Sequence, residues 1–185
     1  MTADLSRLLN ALGLIALDTV LVLAFVDQLW FRDLPCPLCI LQRAGFLAAG
    51  FGLALNLFFG PRPSHYGVAI LGAMAGGAIS MRQILLHIVP GTGSYGNAIL
   101  GLHLYTWAFI AFALIVIGCA VVLLDDRQFS RAEPMSVRLK AMPLTALVLF
   151  MALAVGNVIS TVALCGAGMC PDAPTNYQLF EAVPT

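Results

Sequence analysis

Charge is what this sequence has least of. Of its 185 residues only 10% are Asp, Glu, Lys or Arg, nine acidic against nine basic, while 61% are hydrophobic. Soluble domains carry about a quarter charged residues, so a chain this poor in charge cannot keep a normal wet surface. With a mean hydropathy of +0.95 it must be solvated by lipid. A formal net charge of zero, with no basic stripe to neutralise phosphates, argues against a nucleic-acid partner. Internal repeats, low-complexity tracts and a polar stretch long enough for a soluble second domain are also missing.

What is present is five apolar runs, near Leu9–Trp30, Leu38–Phe59, Gly67–Val89, Ile99–Leu124 and Pro143–Leu164. Each is long enough to cross a hydrocarbon core, which takes about 20 residues per helix. The fold class is therefore all-α, a polytopic membrane bundle of antiparallel neighbours joined by short loops. The first run is too long for a cleaved signal peptide, and no clear small-residue cleavage site follows it. Arg7, Arg62, Arg127, Arg131, Arg138 and Lys140 fall on one side of the membrane and only Arg32 on the other. By the positive-inside rule the N-terminus is cytoplasmic, and five crossings put the C-terminus outside. The longest polar stretch, DDRQFSRAEPMSVRLK, reads as a cytoplasmic connector before the fifth helix.

The five cysteines sort by side. Cys36 and Cys39 lie at the outer junction of the first two helices, and Cys165 and Cys170 follow the fifth helix on the same side. Cys119 lies alone within the fourth helix, where a free cysteine is a small buried hydrophobe. Two close pairs on an oxidising face suit a disulfide relay. They also suit two stapling disulfides without redox turnover, or a four-thiolate zinc site.

The stretch PCPLCILQR favours reactivity. Cys39 should fall in the first turn of the second helix, where unpaired N–H groups and the helix dipole favour a thiolate. Pro37 suits the first helical position and stiffens the spacer. Arg43 follows Cys39 by four residues, on the same face and about 6 Å deeper. An arginine in hydrocarbon is expensive, and a membrane-soluble acceptor that becomes anionic on reduction gives it a reason. Arg82, in SMRQILLHIVP, falls about 12 Å below Pro90, in the same half of the bilayer. His87 lies nearer the interface, where it could exchange protons. The structural alternatives are a salt bridge of Arg82 with Asp27 and a backbone hydrogen bond for His87. Asp18, near the middle of the first helix, is neutral or bonded within the bundle and has no assigned chemistry. Trp30, Trp107 and Tyr105 read as interfacial belt residues.

The segment PCPLCILQR closely resembles the periplasmic motif of the disulfide-bond formation protein B (DsbB) family. The likeness runs from Gln28 through the CxxC and the turn GPRPSHYG to SMRQ, and resumes at ILGLHLYTW, over roughly the first two-thirds of the chain. It implies a four-helix bacterial inner-membrane core that passes electrons from a periplasmic thioredoxin-fold dithiol oxidase (DsbA-like) to a quinone, ubiquinone or menaquinone, of the respiratory pool. Cys36 and Cys39 would then be the pair beside the quinone, and Arg43 the quinone-site arginine. Gln42, Arg82 and His87 are the further candidates around the quinone. On this reading residues 1–124 are the redox core, 125–142 the connector, and 143–185 a fifth helix with a periplasmic tail.

Two features depart from the family pattern. Members generally carry a second, shuttling pair between the third and fourth helices, but here that loop, PGTGSYGNAILGLH, has no cysteine. The chain ends instead in LCGAGMCPDAPTNY, where Gly166 and Gly168 allow a tight turn back and Pro171 and Pro174 keep an exposed tail extended. This tail would replace the missing loop and present Cys165 and Cys170 to the partner. His87 is also offset by a residue from the histidine often found there. A vitamin K epoxide reductase-like protein shares the quinone and the CxxC but fits poorly a pair at the start of the second helix.

Overall fold

The computed structural model describes residues 3–89, 91–93, 98–129, 141–166 and 168–181. Pro90, Arg131, Arg138, Lys140 and most of the connector lie outside the described residues. The expected all-helical bundle is what the chain forms, with α1 (Ala3–Trp30), α2 (Pro37–Phe59), α3 (Pro63–Leu86), α4 (Leu104–Leu123), α5 (Ala141–Cys165) and a short α6 (Gln178–Glu181). The first five are each long and apolar enough to cross a membrane. Their outward faces carry exposed side chains such as Leu71, Leu114 and Val148, as lipid contact requires.

Helix ends follow local chemistry. Pro63 opens α3 four residues before the apolar run begins, because proline's missing N–H costs nothing at a first turn. α4 starts at Leu104 rather than Ile99. Leu100 and Gly101 take positive φ values of 53° and 79°, so Ile99 and Leu102 instead exchange backbone hydrogen bonds in a tight turn. Trp107 Nε1 pins that turn to α4 by donating to the Ile99 carbonyl at 3.0 Å.

α2 packs most extensively on α3, and α3 on α4. Glycines set how close these helices come. A Cβ at Gly45 would lie 2.7 Å from Gly76 Cα, and one at Gly72 would lie 2.6 Å from Ala49 N. In lipid, association rests on van der Waals contact between such small residues rather than on hydrophobic expulsion from water. Phe112 of α4 stacks on Phe46 of α2, ring centroids 3.9 Å apart, across the gap that Gly76 leaves. α5 packs mainly on α1. Phe25 faces Gly156 and Gln28 bonds Ser160, so α1 and α5 run parallel.

A buried polar network ties the ends of α1, α2 and α3 to the turn after α4. Asn10 Nδ2 donates to Tyr66 OH at 2.6 Å, Asn56 Nδ2 to Asn10 Oδ1 at 3.0 Å, and Ser6 Oγ to Gln128 Oε1 at 3.0 Å. This network holds Ser6 and Asn10 in α1, whose described part extends N-terminal of the apolar run at Leu9. Asp18 is fully enclosed, and among the described residues neither carboxyl oxygen has a hydrogen-bond partner.

Because backbone atoms stand where a Cβ would go, Gly45→Val or Gly72→Val should destabilise the bundle by about 3 kcal/mol, the upper end for overpacking. Gly67→Ala and Gly118→Ala, where a Cβ meets nothing within 4 Å, should be neutral or stabilising. Thermal unfolding of the four variants in one detergent checks the contrast.

Candidate functional site

The site begins at the N-terminus of α2. Cys36 is the N-cap, Pro37 occupies the first helical position, and Cys39 lies in the first turn as expected. Cys36 and Cys39 form a disulfide, with Cα atoms 5.0 Å apart. The backbone N–H of Cys39 donates to Cys36 Sγ at 3.1 Å, which satisfies one of the open donors of the helix end. Gln83 of α3 sends its Nε2 toward both sulfurs, at 3.5 Å from Cys36 and 3.7 Å from Cys39. Its Oε1 accepts from Gln42 Nε2 at 2.6 Å. Donors thus converge on Cys36 more than on Cys39. Cys36 is buried, and Cys39 is the more accessible sulfur.

One turn deeper, Arg43 is buried and both of its terminal nitrogens are engaged. Nη1 donates to Gln28 Oε1 at 2.6 Å, Nη2 donates to the Ala24 carbonyl at 2.7 Å, and the guanidinium lies 5.3 Å from the Phe25 ring centroid. All three partners belong to α1, so burying this cation locks α2 to α1.

Beside the pair and the arginine lies a cavity of about 610 Å³ between α1, α2 and α4. Cys36, Cys39, Gln42, Arg43 and Gln83 line one wall, Asp27 and Phe31 another, and Tyr105 and Trp107 a third. A second cavity of about 340 Å³ continues toward the opposite end, past Gly13, Ile115 and Cys119. Val20, Phe46 and Ala111 line both, so one apolar groove runs the length of the α1–α4 gap. Cys119 is a buried free thiol in its inner part.

Arg82 and His87 both stand away from the cavity wall. Arg82 is exposed and does not line the cavity. The inward stripe of α3 is Tyr66, Ala69, Ala73, Gly76, Ser80 and Gln83, at alternating spacings of three and four, and Arg82 sits one residue off it. Gln83, fully buried, takes the place assigned to Arg82. His87 is not in the cavity wall. Its Nδ1 is 2.8 Å from the Gln83 carbonyl, and its ring stacks on Tyr105 at 5.6 Å between centroids. The backbone hydrogen bond weighed for His87 is therefore present, and the contact with the cavity runs through Tyr105. Tyr105 is no belt residue: it is buried, with His103 stacked on it at 5.3 Å.

Cys165 and Cys170 form the second disulfide, with Cα atoms 4.4 Å apart. Neither lines the cavity. Cys165 is buried in the last turn of α5, and the half-buried Cys170 is the more accessible sulfur of the pair. Among the described residues no group of three His, Cys, Asp or Glu side chains converges as metal ligands would. Nor does the tail hang free. It returns to the bundle through Tyr177, whose hydroxyl accepts from Gln28 Nε2 at 3.0 Å.

The family model described as disulfide bond formation protein DsbB matches residues 6–95. The disulfide bond formation protein B of Marinobacter nauticus is 30% identical over a 155-residue alignment covering 64% of this chain and 92% of the relative. That of Burkholderia thailandensis is 30% identical over 158 residues, 65% of this chain and 90% of the relative.

The chain belongs to the disulfide bond formation protein B family.

A shorter alignment with the Chromobacterium violaceum member reaches 38% identity over 71 residues, 36% of this chain and 43% of that protein. No solved structure matches the chain significantly. This DsbB-family chain is a multi-pass membrane protein of disulfide bond formation. The segment matched by the family model holds Cys36, Cys39, Gln42, Arg43 and Gln83, and it ends well before Cys165. Residue type alone does not single out Gln83, which stands in SMRQ beside Arg82. The three-four spacing of α3 is the sequence signal that marks it as inward-facing.

Replacing Gln83 with Met removes the side-chain donor from both sulfurs and leaves Gln42 Nε2 without its acceptor. After reduction, Gln83→Met should slow iodoacetamide alkylation of the Cys36–Cys39 pair about threefold at neutral pH, since a thiolate loses hydrogen-bond support. Mass spectrometry of timed aliquots reads the rate.

Proposed function

We propose that this DsbB-family protein reoxidises a periplasmic thioredoxin-fold dithiol oxidase and passes the electrons to a diffusible membrane quinone, ubiquinone or menaquinone. The observation that carries the reading is a buried Arg43 at the wall of an apolar cavity that also contains Cys36 and Cys39. A cation is worth its burial there if the molecule in the cavity gains negative charge during the reaction. A quinone headgroup, flat and uncharged before reduction, suits the outer cavity, and the apolar groove beyond it suits a hydrocarbon tail.

In the inner membrane the positive-inside rule sets the disulfide end toward the periplasm and the N-terminus in the cytoplasm. A thiolate of the partner attacks Cys170, the more accessible sulfur, and the partner's second thiol resolves the mixed disulfide. The partner leaves oxidised, with Cys165 and Cys170 reduced. Exchange with Cys36–Cys39 reforms the outer disulfide and reduces the inner pair, a step that needs the tail to swing because the two pairs do not share a cavity. Cys36 and Cys39 then close again by giving two electrons and two protons to the quinone, which departs as quinol. Within this step Arg43 supports developing negative charge, while Gln83 and the Cys39 N–H hold the sulfurs at the helix end. Gln42 fixes Gln83, and Arg82 has no part in the cavity.

The test uses purified protein in detergent, a reduced thioredoxin-fold dithiol protein and a soluble quinone, followed by loss of quinone absorbance. Cys36→Ser or Cys39→Ser should abolish quinone reduction. Cys165→Ser or Cys170→Ser should block oxidation of the protein partner yet leave quinone reduction by a small dithiol. Arg43→Gln should lower kcat/KM for quinone about a hundredfold. Absence of turnover from folded protein with any quinone would instead mark the disulfides as staples.

A further inference from the structure

Gln28 is buried between three elements and every polar atom of its amide is used. Its Oε1 is 2.6 Å from Arg43 Nη1, and its Nε2 is 2.7 Å from Ser160 Oγ on α5 and 3.0 Å from Tyr177 OH in the tail. A guanidinium has donors and no acceptor, so Gln28 must turn its oxygen to Arg43. The two amide hydrogens then point toward α5 and the tail, where two hydroxyl oxygens receive them. Rotated by half a turn, the amide would set N–H against N–H and strand the Arg43 donor in a dry site, a costly mismatch.

The tail holds Tyr177 in place from both sides. The Cys165–Cys170 disulfide closes the turn after α5, Gly166 takes a φ of +60°, and a Cβ there would lie 3.7 Å from Gln178. The Phe180 N–H donates to the Tyr177 carbonyl at 3.1 Å, and the Phe180 ring meets the Tyr177 ring edge-on at 6.2 Å.

We propose that Ser160 and Tyr177 are positioning residues for the arginine at the cavity. The fifth helix and the tail orient Gln28, and Gln28 aims the Arg43 guanidinium. This rests on reading the cavity as the quinone site, and it gives the C-terminal extension a second role besides carrying a disulfide. No element outside α5 and the tail supplies an acceptor to the Gln28 amide hydrogens among the described residues.

The experiment measures quinone KM and kcat with a small dithiol as reductant, which bypasses the protein partner. Tyr177→Phe and Ser160→Ala should each raise the quinone KM about fivefold, as expected for losing one orienting hydrogen bond, and leave the KM for the dithiol unmoved. Mere loss of folded protein would lower kcat without this split. Gln28→Glu supplies a second arm, since either carboxylate oxygen can face Arg43 without orienting partners. In that background, adding Tyr177→Phe should change the quinone KM by less than about twofold. An unchanged quinone KM in both single variants overturns the positioning role, as does an equal effect of Tyr177→Phe in the Gln28→Glu background. If the unsubstituted protein reduces no quinone, the relay itself fails and the positioning role fails with it.

Discussion

A guanidinium buried within lipid reach is the constraint around which this molecule is organised. Arg43 keeps its charge at any physiological pH, so its donors need acceptors that do not depend on water. α1 supplies them through Gln28 Oε1 and the Ala24 carbonyl, with the Phe25 ring alongside. Gln28 must in turn be satisfied, and that requirement reaches α5 and the C-terminal tail. One buried charge on α2 thereby recruits three other parts of the chain, each by hydrogen bonds whose direction the donor inventory dictates.

The rest of the bundle is built by close contact. Gly45, Gly72 and Gly76 bring the backbones of α2, α3 and α4 together, and Phe112 fills the space that Gly76 leaves. α1 attaches to this slab through polar contacts at both ends, Arg43 to Gln28 at one and Asn56 to Asn10 at the other. Between those ends α1 and α4 stand apart, and the groove lies in the gap. The same division leaves an apolar channel beside a rigid disulfide-bearing helix end, the arrangement on which the proposed electron transfer depends.

The two disulfides have different surroundings. Cys36–Cys39 sits at a helix start with N–H donors from Cys39 and Gln83, while Cys165–Cys170 closes a turn outside the cavity. Burial also differs within each pair, with Cys39 and Cys170 the more accessible members. A relay between pairs so placed calls for movement of the tail, and the tail's hold on the bundle runs through Tyr177, the residue that also touches Gln28.

The five spanning helices are legible in the residues alone, because length and apolarity decide what lipid will solvate, and so is the placement of Cys39 in a first turn, because Pro37 and the N-cap act within four residues. So too is the position of Arg43 one turn below the pair. Local rules of this kind pick out Arg82 by residue type and do not say that Gln83 does the contacting, which follows from the longer three-four spacing between Tyr66 and Gln83. Nor do they say what answers a buried charge. That Gln28, Ser160 and Tyr177, separated by up to 149 residues, meet beside Arg43 was decided only by the tertiary structure, since hydrogen bonds between distant segments exist only once the helices have packed.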